Sequence, residues 1–170
     1  FRKPLISNFW LVTIGFIIVK LSLHLLTCTN YELLRDEMLF FNMGEHPDAG
    51  YATVPPMTGL LAFLMLKIFG FSVFGIRLFP ALMGAASVYF IALLVNELGA
   101  GIEALVIACL TYILSTGLLL ASSLFTATAF DEFIWLLATW LIMRMVRQNN
   151  PKMWIYIAIV IAMGFLNKYS

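Results

Sequence analysis

Charge is what this sequence has least of. Lys, Arg, Asp and Glu make up 11% of its 170 residues, while 62% are hydrophobic. A soluble domain is about one quarter charged and about half apolar, so the composition excludes one and indicates an integral membrane protein. Neither sign dominates either: ten basic and nine acidic residues leave a net charge of +1. A nucleic-acid partner is excluded, because the chain has no basic excess to meet a phosphate backbone. Cysteine is scarce as well. Cys28 and Cys109 lie far apart in apolar stretches. They read as buried free thiols, not as a disulfide or a metal centre. Strict polar–apolar alternation is absent too. The apolar runs, rich in Leu, Ile, Phe and Met, are therefore helices, each satisfying its own backbone within the membrane.

What is present is one long polar interval, Tyr31 to Pro56, between apolar runs. Asn8–Thr27 before it is the first predicted span, with Trp10 at its start, where an amphipathic ring suits the interface. Nothing after this run resembles a cleavage site, so it reads as a retained helix and not a signal peptide. Lys20 and His24 share one face of it at i and i+4. They either snorkel to the surface or line a hydrated cavity with the acidic interval. Within the interval, Tyr31–Met43 has helical spacing. Leu34, Met38 and Phe41 fall on one side, Glu32 and Asp36 on another, which describes a helix lying along the membrane surface. Glu45–Val54 reads as a loop. Pro55-Pro56 opens a new helix. Its apolar part, Met57–Phe69, is about 13 residues or ~20 Å, too short to cross. Four more spans follow: Val73–Leu98, Ile102–Leu120, Phe130–Val146 and Met153–Leu166. Gly84, Ala85, Ala86 and Ser87 allow close packing in the first of these.

The fold class expected is thus all-α: a polytopic membrane helix bundle of about five transmembrane helices, with two membrane-parallel helices in the first external loop. Residues 1–170 read as one N-terminal part of a longer transmembrane domain, since the chain opens without Met and stops just after an apolar run. Five spans put Arg2, Lys3, Arg144, Arg147 and Lys152 on one side, which is then cytoplasmic. The acidic loop, Arg77, Asp131 and Lys168 fall on the other. Counting Met57–Phe69 as a sixth span would break this charge asymmetry.

The external side therefore gathers Asp36, Glu37, Asp131 and Glu132 with Arg77, Lys168 and Lys67. Each alone reads as a solvated helix end, and Asp131 as compensation of a helix dipole. Together, carboxylates and cations on one face of an apolar protein describe an anionic lipid-headgroup site with a base nearby.

The order of these residues resembles a known family. Asp36-Glu37 after the first helix, Gly50-Tyr51, Pro55-Pro56-Met57, Phe69-Gly70 and Gly75-Ile76-Arg77-Leu78 are similar to the N-terminal part of GT-C glycosyltransferases. The nearest branch holds the protein O-mannosyltransferases and the lipid A aminoarabinose transferase. Phe130-Asp131-Glu132-Phe133-Ile134-Trp135 and Leu166-Asn167-Lys168-Tyr169-Ser170 resemble a bacterial glycosyltransferase family 39 subgroup. The resemblance implies an inner-membrane enzyme whose site faces the periplasm or exterior. It moves a sugar, with inversion, from a polyprenyl phosphate to a glycan, lipid or protein acceptor. Asp36 falls on the family's catalytic carboxylate, with Glu37 beside it. Arg77, Lys168, Asp131, Tyr51 and Lys67 are the expected substrate-binding residues. Relatives often carry Lys or His before the double Pro, where this chain has Val54. The polyprenyl-phosphate sugar is the donor, and these residues fix no cofactor. Charge on the leaving phosphate is met by Arg77 and Lys168 or by a divalent metal on the adjacent carboxylates, and the residues leave both open. The alternative function is a non-catalytic transporter or lipid-binding subunit. Its ionisable groups would lie near the membrane midplane, whereas here only Lys20 and His24 approach it.

Overall fold

The computed structural model describes residues 6–169. Arg2 and Lys3, on which part of the orientation rests, lie outside that range. The described residues form eight helices and no strand: α1 Ile6–Thr27, α2 Arg35–Glu45, α3 Pro56–Phe69, α4 Val73–Glu97, α5 Ile102–Leu114, α6 Thr116–Ala121, α7 Ala127–Gln148 and α8 Met153–Asn167. The fold is a helical membrane bundle. α1 and α4 combine the length and the apolar composition needed to cross a bilayer, while α3, α5 and α8 are shorter apolar helices.

α4 is the central helix, packed against α1 on one side and α7 on the other, with α8 beyond α7. Its buried positions Ala81, Gly84, Ala85, Ser87, Val88 and Ala92 are mostly small. Small side chains let helix backbones approach where no hydrophobic effect drives them together. The outward faces are apolar instead: Leu11, Ile14, Ile18 and Leu26 on α1, and Trp154, Ile155 and Ile159 on α8, are exposed. That inversion suits a lipid surround.

Side-chain bonds show which helix ends lie together. At one end, Arg77 near the start of α4 bonds the carbonyls of Cys28 and Tyr31 after α1. Glu37 of α2 accepts the N–H of Phe125 just before α7. Asn167 at the end of α8 donates to the Ala127 carbonyl at the start of α7, and Thr58 at the start of α3 donates to Asn167. At the other end, Arg147 of α7 pairs with Glu97 of α4 at 3.0 Å. Successive spanning segments therefore alternate in direction, while α4 and α7, which pack together, run parallel.

α3 does not cross. Thr58 ties its first turn to the same end of the bundle as the start of α4, which its last residues reach through a three-residue corner. Gly70 turns that corner at φ 65°, and a Cβ on Gly75 would stand 2.3 Å from the Cβ of Phe69. The first turn follows from Pro55 at the N-cap and Pro56 at N1.

Two local expectations are corrected. α2 begins at Arg35, not Tyr31. Arg77 takes the carbonyls of Tyr31 and Glu32, which a helix starting there would need. The buried face of α2 is Glu37, Phe40, Phe41, Met43 and Gly44, whereas Leu34 and Met38 are exposed. Of the three residues expected on one apolar side, only Phe41 turns inward. Gly44 sits where a Cβ would be 2.9 Å from the α3 backbone at Ala62 and Phe63, so the two helices meet almost backbone to backbone. The third predicted span is broken at Ser115 (φ −67°, ψ 114°) into α5 and α6. Ser115-Thr116-Gly117 has three weak helix formers in a row.

This arrangement carries a topological prediction. In a full-length protein in intact cells, a cysteine at Asp48 is labelled by an impermeant thiol reagent from outside, and one at Asn149 is protected. The reverse pattern overturns the topology.

Candidate functional site

Asp36 and Glu37 are adjacent, and about 100° of helix rotation separates them. Asp36 is exposed, and among the described residues its carboxylate makes no hydrogen bond or ion pair. Glu37 is 0% exposed. Its Oε1 accepts from Arg77 Nε at 2.9 Å and from the Phe125 N–H at 3.1 Å. Its Oε2 accepts from Arg77 Nη2 at 2.6 Å and from the Leu34 N–H at 3.1 Å. The last bond caps the first turn of α2, as a Glu at N3 can. Burial by itself raises the Glu37 carboxyl, but the hydrogen bonds from Arg77, Phe125 and Leu34 outweigh it and hold the group below the usual carboxylate range.

Arg77 is used up in the same network. A guanidinium has five N–H donors. Here two go to Glu37, two from Nη1 go to the carbonyls of Cys28 (2.5 Å) and Tyr31 (3.0 Å), and one goes to Glu32 O (2.8 Å). Its plane also covers the Tyr31 ring at 4.0 Å. The expectation that Arg77 grips a carrier phosphate is corrected by this geometry, because no donor remains for a ligand. Arg77 closes the α1–α2 connection onto α4, and so fixes the helix that presents Asp36.

Tyr51 is likewise committed. Its hydroxyl points to the carbonyls of Met43 (2.9 Å) and His46 (3.2 Å) and accepts the Asp48 N–H. Its ring fills the space over Gly59, where a Cβ would come within 2.7 Å. It braces the loop between α2 and α3. Lys67 is exposed at the end of α3, its ammonium 4.7 Å from the Phe63 ring centroid.

Asp131 and Lys168 are brought together. They line one groove of about 110 Å³ between α7 and α8, walled by Ile134, Trp135, Ala138, Ile161, Gly164 and Phe165. A carboxylate and an ammonium at an otherwise apolar groove suit a lipid with a charged head. Sequence reasoning missed Asn167, whose amide holds α7, α8 and α3 together beside Lys168. Its burial (0% exposed) was the signal, and an Asn beside a Lys at a helix end does not announce it. Among the described residues no three metal-ligating side chains converge.

An exposed carboxylate on a braced surface helix, with an apolar groove lined by Asp131 and Lys168 at the same end of the bundle, describes a helical membrane protein with a polar site at one end. Residues 53–170 match the family described as dolichyl-phosphate-mannose-protein mannosyltransferase. The chain belongs to that family, and is a glycosyltransferase of GT-C type. The match includes Lys67, Arg77, Asp131 and Lys168 and begins after Asp36, Glu37 and Tyr51. No curated protein and no solved structure matches the chain.

Proposed function

We propose that this chain carries the acceptor-activating part of an inverting transferase that moves a sugar from a polyprenyl-phosphate carrier to an acceptor at the outer membrane face. The observation that carries the reading is the contrast on α2. Glu37 is locked to Arg77 inside the protein, and Asp36, one residue earlier, faces outward with its carboxylate free. Asp36 takes the proton from an acceptor hydroxyl. The acceptor oxygen forms its bond to the anomeric carbon from one face as the bond to the phosphate oxygen breaks on the other, which inverts the centre. The carrier leaves as a phosphate anion and needs no proton. Lys168 meets its charge at the mouth of the α7–α8 groove, and the apolar walls take the start of the carrier chain. Asp131 bears on sugar or acceptor hydroxyls, and Lys67 attracts the anionic carrier to this face. The loop from Tyr31 to Val54 faces the periplasm or exterior, and the membrane is the bacterial inner membrane.

Transfer by the full-length protein tests this reading. Given a polyprenyl-phosphate sugar and a hydroxyl acceptor, the product carries the opposite anomeric configuration. Retention, or no turnover with any such donor, overturns the reading. Lys168→Ala separates the donor contact: it raises the donor KM roughly tenfold or more, since a hydrogen bond to a charged group contributes ~1.5–3 kcal/mol. An unchanged donor KM removes Lys168 from the site.

A further inference from the structure

Four polar side chains inside the bundle have no part in the chemistry above. Lys20 and His24 of α1 are 0% and 3% exposed, and Tyr112 of α5 is 6% exposed. Lys20 Nζ, His24 Nε2, Tyr112 Oη and one carboxylate oxygen of Glu132 on α7 are buried atoms without a protein hydrogen-bond partner. These atoms belong to one place. The Lys20 ammonium sits over the Tyr112 ring, 4.7 Å from its centroid. Glu132 lies on the second turn of α7, near enough for its charge to be felt at Lys20, and the Tyr112 hydroxyl lies near Glu132 and Ser87 without closing a hydrogen bond to either. Their depth agrees: Lys20 is ~10 Å from the end of α1 and Glu132 ~8 Å from the start of α7, at helical rise.

The space is built for Lys20. A Cβ on Gly84 of α4 would come within 3.0 Å of Lys20 Cε and 2.9 Å of Ser122 Cβ. Any side chain there would push the lysine stem aside. His24 is oriented as well. Ser123 Oγ gives its hydrogen to the Leu119 carbonyl at 2.7 Å, so its 3.0 Å contact with His24 Nδ1 places the ring proton on Nδ1. Nε2 is then an acceptor.

The unpartnered set thus offers donors (Lys20, Tyr112) and acceptors (Glu132, His24), with one positive and one negative charge. A neutral set with both roles does not select an ion. It matches water, which completes two to four hydrogen bonds among buried polar groups. Lys20 and Glu132 do not close a direct ion pair. Left unbridged, two such charges in a membrane interior are strongly unfavourable.

We propose that Lys20, His24, Tyr112 and Glu132 enclose a buried water site, and that the water-bridged pair of Lys20 and Glu132 pins α1 to α7. Hydroxyl-radical labelling by a pulsed X-ray beam reads this directly, because radicals form on bound water next to the residue they modify. In the full-length protein in nanodiscs, Tyr112 is labelled well above its exposure. Normalised for ring reactivity, its rate exceeds that of the equally buried Phe9 about five-fold or more, as expected for a side chain touching ordered water. The apolar pair Lys20→Met with Glu132→Leu returns Tyr112 to the Phe9 level. Thermal unfolding of the same proteins reads the pin. Lys20→Met and Glu132→Leu each lower Tm, and the double variant recovers at least half of the summed loss. Glu132→Gln, which keeps the shape of the site, retains the labelling. Tyr112 labelled no faster than Phe9 overturns the water site. Losses that simply add in the double variant overturn the pin.

Discussion

Asp36→Asn lowers turnover by about 10²–10⁴ while leaving the thermal midpoint nearly unchanged. The magnitude is what a positioned general base contributes. The stability cost is small because the Asp36 side chain is exposed and bonded to nothing described, asparagine has nearly the same shape, and a first-turn carboxylate contributes only ~0.3–1 kcal/mol through the helix dipole. Loss of activity with intact folding is the signature of a group that touches the reacting atoms. Donor KM stays close to that of the parent, because the base meets the acceptor and not the carrier. Turnover within a few-fold of the parent would remove Asp36 from the role of base. The helix that presents it lies outside the matched residues 53–170, so this variant tests the proposal where the family match does not reach.

Arg77→Ala has the opposite signature: a large loss of stability, with activity falling only because the fold does. It strands the Glu37 carboxylate at 0% side-chain exposure, and leaves the carbonyls of Cys28, Tyr31 and Glu32 without a donor. Removing one partner of a buried ion pair costs ~3–5 kcal/mol, a large part of a typical total stability. Arg77→Lys does not rescue it, since one ammonium cannot reach five acceptors arranged around a planar fork. Acid distinguishes the pair from a generic core defect. Glu37 is depressed in the folded protein. Its stabilisation is present above the ordinary carboxylate pKa of ~4.3 and is lost as pH falls through the lowered value. The parent therefore loses Tm as pH is lowered below about 4, and Glu37→Gln, already destabilised, responds less over that window. Equal acid slopes in the two proteins would show that Glu37 is not the coupled group.

Local signals in the sequence carried much of this architecture. The shortness of Met57–Phe69 and the paired prolines before it announced a helix that returns to the face it left. Lys and Arg positions set the alternation of ends, now carried by bonds such as that of Arg147 to Glu97. What stayed hidden were the decisions made by distant partners. The start of α2 depends on a guanidinium more than 40 residues further on, which claims carbonyls a helix would otherwise use. Arg77 is as cationic in sequence as Lys168, and only the closing of five bonds separates a brace from a cation left at the edge of a groove. Lys20 was legible as a residue that either snorkels to the surface or faces a hydrated interior. Its counterpart Glu132 was not, because helical spacing on α1 says nothing about which face of α7 lies opposite.

The bonds at the Arg77 end of the bundle also set an order of assembly. Arg77 reaches back 40 residues to Glu37 and 49 to Cys28, so these contacts become available once α4 has emerged from the ribosome. Phe125 meets Glu37 across 88 residues, and Asn167 meets Thr58 across 109. At ~5–20 residues per second, the 90 residues from Arg77 to Asn167 take about 5 to 18 s to synthesise. During that interval the α1–α4 hairpin exists with Glu37 already neutralised by its arginine, and one carboxylate oxygen awaits the Phe125 amide. The arginine partner of Glu37 is therefore already made before the later helices close over that carboxylate. The face that carries Asp36 is fixed before the groove that carries Lys168 exists.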